Sequence, residues 1–274
     1  MKLLNLGCGR TFHSAWINID IDSNYPDVLS HDVRKSLPFS DNYFDVCYTS
    51  HLIEHFYQEE ARKLLAECLR VLKPKGIVRV VVPDLEAIVR NYIYSLEQVE
   101  AGLKEAEPNY DWMMIELYDQ TVRSFAGGEL KRYLSQSDIK NQEFIRSRIG
   151  CAAEEFWNNS NKKKYIQKLG DFKKIVGLVN KSRFWLAKIC VTVIAGQQAK
   201  IAFEEGMFRK SGEIHYWMYD RFSLRRMLQQ TGFVDVCVCG AGESRIPDFN
   251  SYNLDVVEGQ VRKPDSLFME GTKS

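Results

Sequence analysis

The chain has 274 residues, 45% of them hydrophobic and 12% aromatic, enough apolar mass for a core near the upper size of one domain, which excludes a disordered or fibrous protein. Its 37 lysines and arginines against 36 aspartates and glutamates leave a net charge of +1, so a chain whose main task is to coat nucleic acid is excluded too. The seven cysteines are odd in number and scattered, the usage expected of free thiols in a reducing, cytoplasmic setting.

The first eighty-odd residues alternate strand and helix signals, the pattern of an open, mostly parallel sheet. Residues 3–6 form a short apolar strand stopped by Gly7-Cys8-Gly9. Residues 16–21 (WINIDI) are a second strand with Asp20 and Asp22 at its end, residues 27–32 lead through a third, and residues 44–49 (FDVCYT) are a fourth. From Gln58 onward Ala61, Leu64, Leu65, Cys68, Leu69 and Leu72 recur at helical spacing, and Lys73-Pro74-Lys75-Gly76 is expected to end that helix. The β-branched run 77–82 then reads as a strand buried on both faces.

After Pro83 no strand signal returns for more than a hundred residues. Helical spacing runs through residues 85–96, 112–125, 131–149 and a basic stretch with Tyr165, Leu169, Phe172, Val176 and Val179. Strand-like sequence resumes near the C-terminus: a helix through Leu224 and Leu228 stopped by Gly232, then strands at 234–238 and 267–269. The expected organisation is one α/β domain, residues 1–95 plus 211–274, with residues 96–210 inserted as a helical lid over the acceptor region.

A strand followed at once by Gly-x-Gly lets a ligand approach the backbone, and a following helix would offer free N–H groups. Asp20, at the end of the second strand, is placed to take both hydroxyls of a ribose, with Asp22 the nearby alternative. The third glycine position of a dinucleotide fingerprint is Phe12, which argues against a dinucleotide enzyme. No Gly-Lys-Ser or Gly-Lys-Thr is present, which excludes a P-loop.

Taken together, LNLGCGR (4–10), INIDID (17–22), HDVRKSLPFSDNYFDVCYTSHLIEH (31–55) and LRVLKPKGIVRVVVPD (69–84) resemble the class I S-adenosylmethionine-dependent methyltransferases of the type 11 kind, over about the first third of the chain. The resemblance implies a Rossmann-like, doubly wound sheet of about seven strands, mostly parallel, with the helical insertion before the last strands. It implies S-adenosylmethionine as cofactor. Gly7, Cys8 and Gly9 would lie against its methionine part, Asp20 with Ile21 at the ribose, Asp32 with Val33 at the adenine, and Ser50 beside the methyl group. Only ten residues separate Gly9 from Asp20, so the first helix is expected to be very short.

The string His51-Leu52-Ile53-Glu54-His55 also spells H-x-x-E-H, in which two histidines one helical turn apart would bind zinc and the glutamate act as base of a hydrolase. That reading needs a helix through both histidines. A methyltransferase instead needs a base only for a hydroxyl or protonated amine, and an imidazole suits that task at neutral pH. His51 is the first candidate, His55 the second, and His215 the third, with Tyr216, Trp217 and Tyr219 as aromatic neighbours for a sulfonium. A chain that binds the cofactor but has lost catalysis is the remaining alternative.

Residues 161–188 carry nine cations against Asp171 alone, a charge of +8 that leaves −7 for the rest. With the apolar run 184–189 beside it, this stretch is expected to cover the domain as a solvated basic face or to touch an anionic membrane surface or phosphate-bearing precursor. The run 184–195 contains Lys188 and is shorter than the ~20 apolar residues of a bilayer crossing, and the glycine-broken opening is not expected to be a signal peptide. The expected acceptor is a small molecule, a saccharide or a lipid-linked precursor, methylated at oxygen or nitrogen. Nucleic acid is not expected, since no nucleic-acid-binding module adjoins the basic stretch.

Overall fold

The computed structural model describes residues 1–21, 25–162 and 171–274, and the side chains of all of these except 159–181. Asp22 and the cations from Lys162 to Lys181 therefore lie outside the described side chains.

Seven strands form one sheet. β1 (Leu3–Leu6), β2 (Ile17–Asp20), β3 (Val28–Ser30), β4 (Phe44–Ser50) and β5 (Leu72–Pro83) are parallel, in spatial order β3-β2-β1-β4-β5. Beyond β5 come β9 (Ser266–Lys273), antiparallel to both its neighbours, and β6 (Phe233–Cys239) at the edge. A two-stranded ribbon, β7 (Val256–Val257) and β8 (Gln260–Val261), stands apart. The reversal of strand order at β1 and β4 opens a crevice at the carboxyl ends of those strands, where ligands of such sheets bind.

The helix α1 (Gln58–Val71) lays Ala61, Leu64, Leu65, Cys68 and Val71 on the sheet, the face its spacing predicts. It does not run into the Lys73-Pro74-Lys75-Gly76 stop. Leu72 is already extended and pairs with Phe44, so those four residues belong to β5, with a register break before Val46 pairs with Ile77 and with Lys75 at φ 65°. The carbonyls at the helix end are taken from far away, Arg70 O by Asn42 N at 3.1 Å, Val71 O by Tyr43 N at 2.8 Å and Leu72 O by Lys273 Nζ at 2.7 Å.

No helix separates β1 from β2. Two buried asparagines at the centre of these strands hold the connection instead: Asn5 Nδ2 donates to Asn18 Oδ1 and to Thr11 O, both at 3.1 Å, and Asn18 Nδ2 donates to His13 O and Trp16 O. The loop is thus anchored by side chains rather than wound into a turn of helix.

Between β5 and α8 (Arg221–Thr231) the described chain is helical: α2 (Leu85–Glu100), α3 (Glu107–Val122), α4 (Gly128–Leu134), α5 (Gln142–Ile149), α6 (Cys151–Lys162) and α7 (Asp171–Arg209). The expected boundary at residue 95 falls inside α2, so the helical run begins at Leu85. It has its own core of Ile88, Trp112, Met113, Leu134, Ile145 and Ile149. Within α7, Gly196 at φ 84° and ψ 179° breaks the helix, and the arms fold back as a hairpin through a Lys188–Glu204 ion pair and stacked rings of Phe184 and Phe203 5.6 Å apart. Asp220 caps α8, accepting from the backbone of Phe222 at 3.0 Å and Ser223 at 2.7 Å, and Gly232 at φ 114° ends it.

A buried ion network closes the β5 end of the sheet. Arg79, fully buried in β5, donates from Nε to Asp255 at 2.8 Å and from Nη1 to Glu270 at 2.9 Å, with further bonds to the carbonyls of Gly240, Ala241 and Glu243. Tyr48 Oη donates to the other Asp255 oxygen at 2.5 Å. No disulfide links the seven free cysteines, of which Cys8, Cys47 and Cys68 are buried and Cys190 and Cys237 exposed.

Candidate functional site

β1 delivers Gly7 and Gly9 into the crevice at φ 65° and 54°, a backbone that L side chains rarely adopt. A Cβ on Gly7 would meet Leu52 Cδ1 at 2.7 Å, whereas one on Gly9 would meet nothing within 4 Å, so the chain is tightest at Gly7 and open at Gly9. Gly9 N donates to Asp20 Oδ2 at 2.8 Å, which joins the loop to the end of β2 in place of a helix. Burial, reinforced by the charge of Asp20, pushes the Cys8 thiol up to about 12, so it stays protonated.

Two recesses share Gly7. One is lined by Asp20, Ile21, Asp32, Val33, Leu52, His55 and Tyr216, with Arg209 and Lys210 at its rim. The other is lined by Cys8, Gly9, Arg10, Ser50, His51 and, from the C-terminal part of the chain, Asp255, Arg262 and Lys263. Arg34 holds both oxygens of Asp32 at 2.8 and 2.9 Å, and this bond lowers the Asp32 carboxyl below its ordinary range.

After β4 the chain turns through His51 at φ 51° and then a 3-10 turn, Ile53–His55. The helix that an inverse zinc motif requires is not formed, because β4 continues to Ser50 and His51 is left-handed. The turn carries Glu54 back beneath His51. Glu54 Oε1 lies 3.3 Å from His51 Nδ1, and His51 Nε2 lies 2.9 Å from Ser266 Oγ. Glu54 is fully buried, and neither carboxylate oxygen has a hydrogen bond of good geometry among the described residues. Its burial favours the protonated form, but the bond and charge of His51, with His55 and His215, outweigh this and hold the carboxyl down to about 2.

His55 Nδ1 sits 3.1 Å from Ile214 O, an acceptor only, so that nitrogen carries the proton and Nε2 is left with its lone pair. His215 packs edge-on against His55, ring centroids 4.7 Å apart, with its Nε2 2.8 Å from the Gln120 amide nitrogen. It is 5% exposed and lines neither crevice recess. It opens instead on a separate hollow with Thr121, Trp217 and Met218. Desolvation pushes His215 down to about 3 against the pull of Glu54, so its imidazole is neutral at physiological pH. Of its aromatic neighbours, Tyr216 reaches the recess lined by Asp20 and Asp32, Trp217 is exposed, and Tyr219 belongs to the core. The ligand-competent atoms of Glu54, His55 and His215 lie within 4.8 Å of one another, the one grouping among the described residues that could take a cation in place of a proton.

With this geometry in hand, comparison with known proteins shows that residues 4–80 match the family described as "Methyltransferase domain", Methyltransf_11. This stretch, less than a third of the chain, is similar to a methyltransferase domain and contains Gly7, Gly9, Asp20, Asp32, Ser50 and His51. No curated protein has significant sequence similarity to the chain. Among solved structures, the chain is similar to a methyltransferase from Archaeoglobus fulgidus (13% identity over 99% of this chain and 86% of that chain, TM-score 0.37). It is also similar to one from Mesorhizobium loti (18% identity, 31% of this chain and 47% of that chain, TM-score 0.26) and to the cyclase SpnF (24% identity, 30% and 38%, TM-score 0.24). The chain thus spans less than about half the length of the latter two.

The open side of Gly9 and the Asp20 carboxylate at the recess wall fit S-adenosylmethionine, while Leu52 covers the Cα of Gly7. Several residues of the site carried no sequence signal. Asp255, Arg262, Lys263 and Ser266 lie some two hundred residues beyond the motifs they meet, and only the sheet order, with β9 beside β5, brings them there. Desolvation lowers the Lys263 ammonium below its ordinary range.

Proposed function

We propose that the chain transfers the methyl group of S-adenosylmethionine to an oxygen or nitrogen of a small-molecule, saccharide or lipid-linked acceptor, with His51 as the base. The observation that carries this reading is the His51 imidazole on the wall of the recess beside Ser50, backed at Nδ1 by the buried Glu54 and turned at Nε2 toward Ser266 Oγ. When bound, the cofactor supplies an electrophilic methyl on sulfur. Gly7, Cys8 and Gly9 would meet its methionine part, Asp20 with Ile21 its ribose, and Asp32 with Val33 its adenine.

The chain's own part is positioning and proton removal. Holding acceptor and methyl in line contributes up to ~7 to 11 kcal/mol in such reactions. His51 Nε2 would exchange its bond to Ser266 for the acceptor's proton, and the Glu54 carboxylate would stabilise the imidazolium that forms. Arg10, Arg262 and Lys263 give the recess a cationic rim that suits an anionic acceptor such as a sugar or lipid phosphate. His55, oriented by Ile214 O, supports the Glu54 end of this arrangement.

Isothermal titration with S-adenosylhomocysteine tests the cofactor half of the proposal, and transfer of labelled methyl from S-adenosylmethionine into saccharide and lipid extracts tests the acceptor half. Binding with transfer that is lost in His51→Gln is expected. Binding with no transfer to any fraction would favour a cofactor-binding protein without catalysis, and no binding by the folded chain would overturn the proposal.

A further inference from the structure

We propose that the hairpin of α7 is a membrane-docking element whose apex enters the surface of an anionic leaflet. The inference does not depend on the acceptor or on His51.

None of the residues 182–209 is buried, although this stretch is apolar enough, by length and composition alone, to cross a membrane. A crossing is not what it forms: Gly196 breaks the helix, and Lys188–Glu204 with Phe184–Phe203 closes the arms against each other. The apex lies at the break, where Val193 is 79% and Ile194 85% exposed. From 189 to 199 the sequence ICVTVIAGQQA carries no charge, and it is bracketed by Lys188 and Lys200.

These positions set a depth. Gly196 is eight positions from Lys188 and eight from Glu204, which at ~1.5 Å per residue is about 12 Å. That reaches the boundary between headgroups and acyl chains but falls far short of the ~30 Å hydrocarbon core. Lys188 then lies near the phosphates, and Lys200, about 6 Å nearer the apex, reaches back toward them along its aliphatic stem.

Charge selects this occupant over a second copy of the chain. The described hairpin carries Arg183, Lys188, Lys200 and Arg209 against Glu204 and Glu205, and the sequence just before it adds seven cations against Asp171, so this part of the chain is like-charged to a second copy and complementary to an anionic leaflet.

The test is flotation of the full chain with vesicles of phosphatidylcholine alone and of phosphatidylcholine with phosphatidylglycerol. The chain is expected to float with the anionic vesicles. Val193→Asp with Ile194→Asp should lower the bound fraction by about tenfold or more, since charges at the apex cannot enter the acyl region. Arg183→Gln with Lys200→Gln should lower binding severalfold on anionic vesicles only, as should added salt. A thermal melt matching that of the unaltered chain shows that each variant is folded. Failure of the unaltered chain to bind either vesicle, or binding that the apex variant retains, would overturn the proposal. So would a dimer in light scattering that the apex substitutions dissolve without any effect on vesicle binding.

Discussion

Two buried ionic clusters, one around Arg79 in β5 and one around Glu54 after β4, meet a common recess through Asp255 and His51, and they are built differently. Around Arg79, every partner is supplied: two carboxylates, three carbonyls and a tyrosine hydroxyl that completes Asp255. Around Glu54, three imidazoles surround a carboxylate whose oxygens lack well-formed hydrogen bonds. A saturated network fixes loops to a sheet and has no capacity left for a ligand. An unsaturated one at a crevice holds charge ready for a proton or a substrate, at a cost in stability borne by the surrounding fold.

The contrast can be broken first at its structural end. Arg79→Met leaves Asp255 and Glu270 buried without their cation and should cost about 3 to 5 kcal/mol in urea unfolding. A variant as stable as the unaltered chain would show that the network is dispensable. At the other end, His51→Gln should leave stability and S-adenosylhomocysteine binding nearly unchanged while turnover falls by about 10² to 10⁴. A loss of folding instead of turnover would place His51 with the structural cluster. Between these, Asp20→Ala should weaken S-adenosylhomocysteine binding by about tenfold to a hundredfold in calorimetry, the worth of hydrogen bonds to a charged acceptor. Unchanged affinity would remove Asp20 from the cofactor site.

A further difference is a pH dependence carried by His215 in the unsaturated cluster. His215 titrates near 3 in the fold and at its ordinary 6.5 when unfolded, so the unfolded chain binds more protons between those values. Stability is therefore full above pH 6.5 and falls as pH is lowered through that window, by at most about 1.4 kcal/mol per pH unit for one proton. Glu54, held near 2 against an ordinary 4.5, adds a second loss below 4.5. In urea unfolding across pH, His215→Asn should flatten the limb between 6.5 and 4.5 and make the limb below 4.5 shallower without abolishing it. An unaltered upper limb would mean that another group titrates there.

Much of this arrangement is legible in the sequence. The apolar runs, the glycines after β1, Asp20 closing β2 and the α1 stripe are all local patterns, and local patterns fold where they are written. The connection from β1 to β2 is the exception within the motif region, because Asn5 and Asn18 look like ordinary strand residues until they face each other across the sheet. The end of α1 misleads for a similar reason: Lys73-Pro74-Lys75-Gly76 has helix-stop chemistry, yet Asn42, Tyr43 and Lys273 take the carbonyls it was expected to cap. The partners of His51 divide along the same line. Glu54 is three residues away and readable, while Ser266 is reached only through tertiary structure.

The place of β9 bears on how the chain is made. It follows all the other described strands in the chain, yet it lies inside the sheet between β5 and β6. From Pro83 to Ser266 the open edge of β5 must wait while 183 residues are added, roughly 10 to 40 s at ordinary rates of synthesis. Throughout that interval a nearly continuous β-branched edge is free to pair with a neighbouring nascent chain, and the helical segment emerges before the strand that would protect it. Yield in an expression host should therefore respond to trigger-factor-like shielding of nascent chains more than to the stability of the finished fold.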